Sequence, residues 1–316
     1  MSSVRRVATI GECMIELRHT DAQTLKTGFG GDTLNTALYL ARIGAARGIA
    51  VDYVTALGED AYSDEMLAAW QAEGIGTSLV ARLPGRLPGL YIIRTNAQGE
   101  RSFTYFRSAA AAREMLRDGR DAKLTASLAG YACVYLSGIT LSILDDGQRQ
   151  AMLGLLERLR GGGTLVAFDA NYRPVGWPSA DVARQWMTEA LRRADIALPT
   201  FDDEQRLFGD AQAKQSAERL HGLGVGEVVV KLGPEGSLVS TGKDAAASAL
   251  VPSTRPAQVV DTTAAGDSFN AGYLAARLLG HDAEAAAGVG NRLAAAKIGH
   301  PGAIMPRAAM PDLGLS

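Results

Sequence analysis

The sequence contains few of the residues that mark extracellular, metal-binding or membrane proteins. Its two cysteines, Cys13 and Cys133, are too few for a disulfide framework and have no metal-binding spacing, so a reducing cytoplasm is expected. The apolar run at residues 7–10 is too short for a signal-peptide core, and no stretch reaches the roughly 18 apolar residues of a membrane span. The formal net charge of −2 leaves no broad basic field for nucleic acid or an anionic membrane.

The motifs of several common enzyme classes are also missing. No Walker-type G-x-x-x-x-G-K-[ST], H-E-x-x-H, G-x-S-x-G or C-x-x-C pattern occurs. These absences argue against P-loop NTPases, metalloproteases and serine hydrolases. What remains is a chain of 316 residues with 47% hydrophobic residues and 36 glycines, which is enough for a large core and many turns.

Strand-like and helix-like segments alternate regularly along most of the chain. Repeated strand–helix units predict a mainly parallel sheet covered by helices, because right-handed crossovers allow few other arrangements. In such a sheet, ligands bind beyond the carboxyl ends of the strands. The predicted strands are residues 4–10, 52–57, 132–136, 164–168 and 196–199, and the predicted helices are residues 63–74, 145–160, 180–193, 202–208 and 282–299.

Residues 261–267 (DTTAAGD) separate the predicted end of an extended segment at 258–260 from a predicted helix at 268–279. The first amides of a helix lack intrahelical acceptors, so this junction suits an anion. Asp267 either caps the helix or acts as a base toward a hydroxyl held close to it. Gly266 beside it permits the close approach of a ligand but also fits a tight turn.

Three other segments carry polar groups where a ligand could bind. Gly30–Gly31 and Asn35 mark the entrance of a predicted helix at 36–43, which is either a plain glycine-rich turn or a second ligand site. Arg173 follows a predicted strand in the sequence DANYRP and either binds an anion or lies on a surface loop. Residues 227–239 predict two strands around a Gly-Pro turn, which on its own is a plain hairpin.

A predicted hairpin interrupts the strand–helix alternation. The segments on both sides of residues 96–99 (NAQG) are extended, and these four residues are typical of a hairpin turn. Strand periodicity places Phe103, Tyr105 and Arg107 on one face. The hairpin is either an edge ribbon with a solvated Arg107 or, together with residues 12–30, a small sheet that covers a cleft and excludes water.

The glycine-rich helix entrances carry a resemblance to a known family. Residues 261–267 resemble the D-T-x-G-A-G-D signature of the ribokinase-like (PfkB) carbohydrate kinases, and residues 30–37 (GGDTLNTA) resemble that family's first motif. Further segments are similar to those of family members that phosphorylate 2-dehydro-3-deoxy-D-gluconate, namely residues 11–17, 87–91 and 171–174.

The resemblance extends from about residue 7 to residue 307 and implies the fold. The expected class is α/β, as a ribokinase-like three-layer sandwich with a mainly parallel central sheet and a small antiparallel β lid. The whole chain, residues 1–316, would form a single kinase domain. The lid would come from two inserted segments, at about residues 12–30 and 87–108.

The resemblance also implies the reaction. The γ-phosphoryl group of ATP, with Mg²⁺ as cofactor, would be transferred to the 6-hydroxyl of 2-dehydro-3-deoxy-D-gluconate. Asp267 would be the general base, and the amides of Ala264, Ala265 and Gly266 would form the anion hole. Asp261 would hold the sugar hydroxyl toward Asp267. Ala264 stands where the family signature has its first glycine, so a slightly narrower hole is expected.

The ligand contacts follow from the same resemblance. The expected sugar contacts are Gly31, Asn35, Tyr91, Tyr105, Arg107 and Arg173. The expected nucleotide contacts are Asn171, Lys231, Gly233, Gly236 and Asn291. The family's N-x-x-E element is replaced by residues 200–203 (TFDD) followed by a glutamate, so Asp203 or Glu204 is expected to hold Mg²⁺ through water.

The arginines discriminate between substrates. A neutral sugar such as fructose or ribose needs no arginine, whereas an aldonic acid offers a carboxylate that Arg107 can pair with beside Tyr105. A kinase for another sugar and a non-catalytic sugar sensor are the alternative functions. Exposed strand edges on a small lid favour pairing with a second lid, so a homodimer or higher homo-oligomer is expected, with no nucleic acid or membrane partner.

Overall fold

The computed structural model describes residues 4–95, 101–242 and 248–315. Its strands form two sheets, a large one and a small one. The strands are β1 (Arg5–Ile10), β2 (Met14–His19), β3 (Leu25–Gly30), β4 (Ile49–Leu57), β5 (Ile75–Gly76), β6 (Val80–Arg82), β7 (Leu90–Thr95), β8 (Arg101–Phe106), β9 (Cys133–Ser137), β10 (Leu165–Asp169), β11 (Ile196–Ala197), β12 (Glu227–Lys231), β13 (Ser237–Thr241) and β14 (Ser248–Val251).

Helices cover both faces of the large sheet. They are α1 (Asp32–Gly44), α2 (Ala61–Ala72), α3 (Arg120–Ser127), α4 (Gly138–Ile143), α5 (Asp146–Gly161), α6 (Ala180–Leu191), α7 (Phe201–Phe208), α8 (Ala213–Gly222), α9 (Ala265–Leu278) and α10 (Ala283–Ile298). None of the helices in the described ranges has both the length and the apolar character that a membrane crossing needs.

The large sheet separates two hydrophobic cores. The side chains of α1, α2, α9 and α10 contribute to one core, and those of α4 to α8 contribute to the other. Along β9, Cys133 and Tyr135 face the first core while Val134 and Leu136 face the second, as the two-residue period of a strand requires. The molecule is therefore a three-layer α/β/α sandwich, and the predicted fold class is confirmed.

The order of strands in the large sheet is β14-β13-β12-β11-β10-β9-β1-β4-β5, with β6 paired to β4. From β12 to β5 the neighbouring strands are parallel, and only the β12–β13 and β13–β14 pairs are antiparallel. Parallel strands bring their carboxyl ends to one edge of the sheet. Asp169 ends β10 and Lys231 ends β12, so both side chains lie at that edge.

The small sheet comes from the two segments predicted for the lid, in the order β3-β2-β7-β8. β2 pairs with β3 and β7 with β8 in antiparallel fashion, as predicted. β2 and β7, however, run parallel, because the chain returns to the small sheet only after passing through α1 and the strands of the large one. The turn predicted at residues 96–99 lies outside the described residues.

Two local predictions from the sequence were wrong. The valines at residues 259 and 260 belong to no strand; they are 64% and 48% exposed, and the amides of Val260 and Asp261 donate to the Ile298 carbonyl at the end of α10. In addition, α1 and α9 begin three or four residues before their predicted starts at residues 36 and 268. The first turns of both helices are polar or rich in small residues, so hydrophobic periodicity did not predict them as helical.

Candidate active site

Asp267 lies in the first turn of α9, and its carboxylate contacts α1. Asp267 is 9% exposed, and its Oδ2 accepts a hydrogen bond from Asn35 Nδ2 at 2.8 Å. The Thr36 hydroxyl donates to the Asp267 carbonyl at 3.2 Å. Ala264, whose methyl group accepts no hydrogen bond, holds the N-cap position of α9. The capping alternative for Asp267 is therefore wrong, and the two glycine-rich helix entrances meet at this carboxylate.

The surroundings of Asp267 raise its affinity for a proton. Burial raises the pKa of this carboxyl to about 7, and the nearby carboxylates of Asp32 and Asp169 act in the same direction. The hydrogen bond from Asn35 and the charge of Lys231 oppose that rise. A carboxylate whose pKa lies near neutrality is well matched to accept a proton from a hydroxyl at physiological pH.

The signature loop before α9 has a left-handed residue at its centre. Ala264 has φ of +59°, a conformation that favours glycine and that an L-residue adopts at a cost. The alanine at the position of the signature's first glycine therefore carries backbone strain, and the narrower hole stays a prediction. The Ala265 amide donates to the Thr262 carbonyl at 3.2 Å. A Cβ atom added to Gly266 would lie 3.4 Å from Lys231 Nζ, so this ammonium group faces the helix entrance.

Asp261 fixes the opposite end of the same loop. Its Oδ1 accepts hydrogen bonds from the amide and hydroxyl of Thr263 at 2.9 and 2.7 Å, and its Oδ2 accepts one from the Gly302 amide at 2.9 Å. The Asp261 carbonyl accepts a hydrogen bond from Lys297 Nζ at 2.6 Å, and Lys297 is fully buried. Asp261 thus supports the loop, and its predicted sugar contact stays a prediction.

A network of polar side chains lies at the carboxyl edge of the large sheet. Asp169 Oδ2 accepts hydrogen bonds from Lys231 Nζ and Asn270 Nδ2, both at 2.7 Å. The Asn171 amide donates to Asp169 Oδ1 at 3.1 Å. Asn171 Nδ2 donates to Asp32 Oδ2 at 2.8 Å. Two of the predicted nucleotide contacts, Asn171 and Lys231, are thereby held beside Asp169, a carboxylate at the strand end to which the sequence assigned no role.

The remaining predicted nucleotide contacts lie around β13. Gly233 and Gly236 flank a short 3-10 turn between β12 and β13, with φ of +58° and +108°. A Cβ atom on Gly236 would lie 2.1 Å from the Val251 carbonyl oxygen, so no other residue fits there. Asn291 Nδ2 donates to the carbonyls of Val251 and Pro252 at 3.3 and 3.0 Å. Asn291 therefore holds the chain that leaves β14.

The glycine pair at the entrance of α1 allows close contacts with the lid. A Cβ atom on Gly31 would lie 2.1 Å from the Glu12 carbonyl oxygen. A Cβ atom on Gly30 would lie 2.3 Å from the Tyr91 hydroxyl, which donates to Glu16 Oε2 at 2.5 Å. Gly31 excludes a side chain because the clash is with backbone, whereas a side chain at Gly30 would displace the Tyr91 hydroxyl, so the glycines are more than a plain turn.

The lid presents an aromatic face with an arginine at its end. The rings of Phe103 and Tyr105 are stacked with centroids 6.3 Å apart, and the Tyr91 ring lies 5.9 Å from that of Tyr105. The Arg107 guanidinium lies 5.9 Å from the Tyr105 ring and donates to the buried carboxylate of Glu12. Arg107 is therefore paired rather than simply solvated, although β8 is an edge strand of the small sheet.

The two carboxylates proposed for a metal have different partners. Asp203 forms an ion pair with the half-exposed Arg173 at 3.2 Å, and burial raises the pKa of Asp203. Glu204 is 1% exposed and accepts a hydrogen bond from Arg219. Burial raises the pKa of Glu204 to about 7. Over the described ranges, no group of three or more histidine, cysteine, aspartate or glutamate side chains is arranged to hold a metal ion.

Sequence reasoning missed four polar residues of this region. Glu12, Asp32, Asp169 and Asn270 each bond to a predicted site residue. A signal existed for Asp169, because it ends a core strand at the ligand-binding edge. The other three lie next to residues to which the sequence assigned a role, and the residues that they bond to are distant in the chain.

Known proteins resemble this chain along nearly its whole length. The chain matches the pfkB family carbohydrate kinase over residues 4–309. It is 46% identical over 307 residues to the 2-dehydro-3-deoxygluconokinase of Escherichia coli (strain K12), covering 97% of this chain and 99% of that protein.

Solved structures show the same fold. The crystal structure of a PfkB protein from Polaromonas sp. JS666 has a TM-score of 0.81 at 27% identity, covering 92% of this chain and 94% of that one. A putative ribokinase II from E. coli, crystallised in complex with ATP and Mg²⁺, has a TM-score of 0.80 at 22% identity, covering 98% of this chain and 97% of that one.

Proposed function

Because this chain belongs to the pfkB family of carbohydrate kinases, we propose that it transfers the γ-phosphoryl group of ATP to the 6-hydroxyl of 2-dehydro-3-deoxy-D-gluconate. The observation that carries the proposal is the carboxylate of Asp267, buried at the start of α9 with a pKa near 7. The activity of the E. coli relative, which shares 46% of the aligned residues, supports the choice of substrate.

Asp267 accepts the proton of the primary hydroxyl as that oxygen attacks phosphorus. A primary alcohol is a poor nucleophile, and a positioned carboxylate removes its proton in the transition state. Asn35 orients the carboxylate through its 2.8 Å hydrogen bond. The amides of Ala264 and Gly266 at the start of α9 stabilise the negative charge on the transferring group, with Lys231 Nζ beside Gly266. The Ala265 amide, also expected there, donates to the Thr262 carbonyl in this structure. The sugar hydroxyls are held by Gly31 and Asn35.

ATP binds along the carboxyl edge of the large sheet, on the side of Asn171, Lys231 and the turn at Gly233. Mg²⁺ usually keeps several waters and takes one or two carboxylates together with phosphate oxygens, so a site without three clustered ligands fits it. Asp203, which is paired only with a half-exposed arginine, would hold the ion through water. When bound, Mg²⁺ neutralises charge on the phosphates. Glu204 is engaged by Arg219 and supports α7 and α8.

The carboxylate of the substrate is recognised by arginines that already have protein partners. Arg107 has five N–H donors, and Glu12 uses only part of them; the buried Nε of Arg107 has no hydrogen-bond partner among the described residues. Tyr91 and Tyr105 line the same face of the lid, and Arg173 adds a second cation near the sheet. Glu12 holds the guanidinium in place, so its remaining donors are presented without loss of side-chain entropy.

A panel of substrates tests this proposal. In a coupled ATP-consumption assay, kcat/KM for 2-dehydro-3-deoxy-D-gluconate should exceed that for fructose and ribose by orders of magnitude. Arg107→Ala should lower it by about a hundredfold and leave the residual activity on neutral sugars nearly unchanged. Arg94→Ala, at the exposed end of β7 in the same small sheet, is the matched control and should leave both unchanged.

The alternative functions give other results in the same assay. A preference for fructose or ribose that survives Arg107→Ala would identify a kinase for another sugar. Binding of the acid without any ATP turnover, unaltered by Asp267→Asn, would identify a non-catalytic sensor.

We also propose that two copies associate through the lid and that the enzyme works in the cytoplasm. β3 and β8 are the edges of the small sheet, and Phe106 and Leu25 on them are 59% and 40% exposed. Unpaired edges with exposed apolar side chains favour pairing with another chain. Both cysteines are buried and free, which suits a reducing compartment. Sedimentation of the wild type and of Phe106→Lys tests the dimer, which the variant should weaken.

A further inference from the structure

One turn of α1 contacts both halves of the candidate active site. Asn35 donates to Asp267 at 2.8 Å, on the side where the sugar would bind. Asp32, one turn earlier, accepts a 2.8 Å hydrogen bond from Asn171 Nδ2, and these residues are 139 positions apart in the chain. The carboxylate of Asp32 therefore lies between the sugar side and the side assigned to the nucleotide.

Asn171 needs such a partner because its backbone is strained. Its φ is +36°, in the left-handed region that residues other than glycine rarely adopt. It follows the end of β10, and its amide donates to Asp169 Oδ1 at 3.1 Å. Two carboxylates thus fix this residue, one through the backbone and one through the side chain. Asn171 is 8% exposed, so its side-chain amide has little freedom to turn away from Asp32.

The charge of Asp32 gives its hydrogen bond a second consequence. Burial raises the pKa of Asp32, the side chains of Ser137 and Asn171 and the Thr33 amide lower it, and the charge of Asp169 raises it. A carboxylate placed beside other carboxylates and partly withdrawn from water is costly for the fold. The 2.8 Å hydrogen bond from Asn171 offsets part of this cost.

We propose that Asp32 is a positioning residue for the nucleotide: its carboxylate orients the Asn171 amide toward ATP from the helix that also holds the catalytic base. This inference rests on the proposed function, in which Asn171 contacts the nucleotide. Asp32 lies between Gly31 and Asn35, which are assigned to the sugar. Substitution of Asp32 should therefore weaken sugar binding if Asp32 acts there, and nucleotide binding if it positions Asn171.

The test compares substitutions at Asp32 with substitution of Asn171. Asp32→Ser keeps a residue suited to the first turn of a helix but cannot reach Asn171, and Asp32→Ala serves the same purpose without a hydroxyl. Either should raise the KM for ATP and the dissociation constant for ADP, measured by calorimetry, about tenfold, with the KM for the sugar acid changed less than threefold. Asp32→Asn, whose side-chain oxygen still accepts a hydrogen bond, should restore most of the nucleotide affinity.

Three results decide the inference. Asn171→Ala should weaken ADP binding as Asp32→Ser does, and the double variant should be no weaker than Asn171→Ala alone. If Asn171→Ala weakens binding and Asp32→Ser does not, or if Asp32→Asn is as weak as Asp32→Ser, the positioning role is overturned while the proposed function stands. If Asn171→Ala leaves ADP binding unchanged, the assigned nucleotide contact fails and the inference with it. Asp64→Ser, in the first turn of α2, is the control and should change neither ligand.

Discussion

Substitution of Asp267 by asparagine should remove activity and stabilise the protein at the same time. Asparagine keeps the size of the side chain and an oxygen that accepts the hydrogen bond from Asn35, but it cannot accept the hydroxyl proton. General base catalysis contributes about 10²- to 10⁴-fold, so kcat should fall within that range while binding of the sugar acid changes little. The stability gain should depend on pH.

The expected gain follows from the pKa of Asp267. The folded protein raises this pKa from 3.8 to about 7, so the folded state binds the proton more tightly than the unfolded state. Stability is therefore lost as the pH rises from about 4 toward 8. Roughly three pH units at 1.36 kcal/mol each give an upper bound of about 4 kcal/mol for the penalty at pH 8. At pH 5 the same relation leaves a penalty of about 2 kcal/mol.

Thermal unfolding at two pH values measures the difference. The Tm gain of Asp267→Asn over the wild type should be larger at pH 8 than at pH 5 by about 4 °C or more. Asp64→Asn is the control, because Asp64 also lies in the first turn of a helix but its side chain is 66% exposed. A gain that is absent at pH 8, or equal at the two pH values, would refute the reasoning that burial has raised the pKa of Asp267.

Three further predictions concern the same loop. The fall of kcat/KM on the acid side of its pH profile should lie near pH 7 and move to higher pH in Asn35→Ala, because this variant loses a hydrogen bond that lowers the pKa of Asp267. ATP ionises in the same way with both proteins, so an unchanged profile would contradict the prediction. Ala264→Gly should raise the Tm by about 1–2 °C because φ is +59°, whereas Ala265→Gly should lower it. Lys297→Met should cost about 2–3 kcal/mol in urea unfolding and lower kcat, because the Asp261 carbonyl loses a charged donor; an unchanged kcat would separate this anchor from catalysis.

The sequence was informative where one period or one motif dominates. The strand–helix alternation predicted the parallel sheet because each strand is apolar on both faces, as in β9 between its two cores. The hairpin that carries Phe103 and Tyr105 was predicted from its alternation and turn. The meeting of Asn35 and Asp267 was expected only through the family resemblance.

The partners of the charged residues could not be predicted. Arg107 was expected to face a substrate carboxylate, and the structure adds Glu12, 95 residues away, as its buried partner. Asp261 was expected to contact the sugar, and the structure adds the Gly302 amide, 41 residues away, as a hydrogen-bond donor to its carboxylate. A positive φ at Ala264 or Asn171 is a property of single backbone positions and leaves no pattern in the residues around them.

The most direct test of the account identifies the product. Equimolar ATP and 2-dehydro-3-deoxy-D-gluconate are incubated with the wild type and with Asp267→Asn, and the mixture is followed by ³¹P NMR. The account predicts that the wild type forms ADP and one phosphate monoester whose phosphorus couples to the two protons of a CH2 group, as at the primary carbon C6, while Asp267→Asn forms none in the same time. A phosphate on a secondary carbon, no phosphorylated sugar, or equal rates for the two proteins would contradict it.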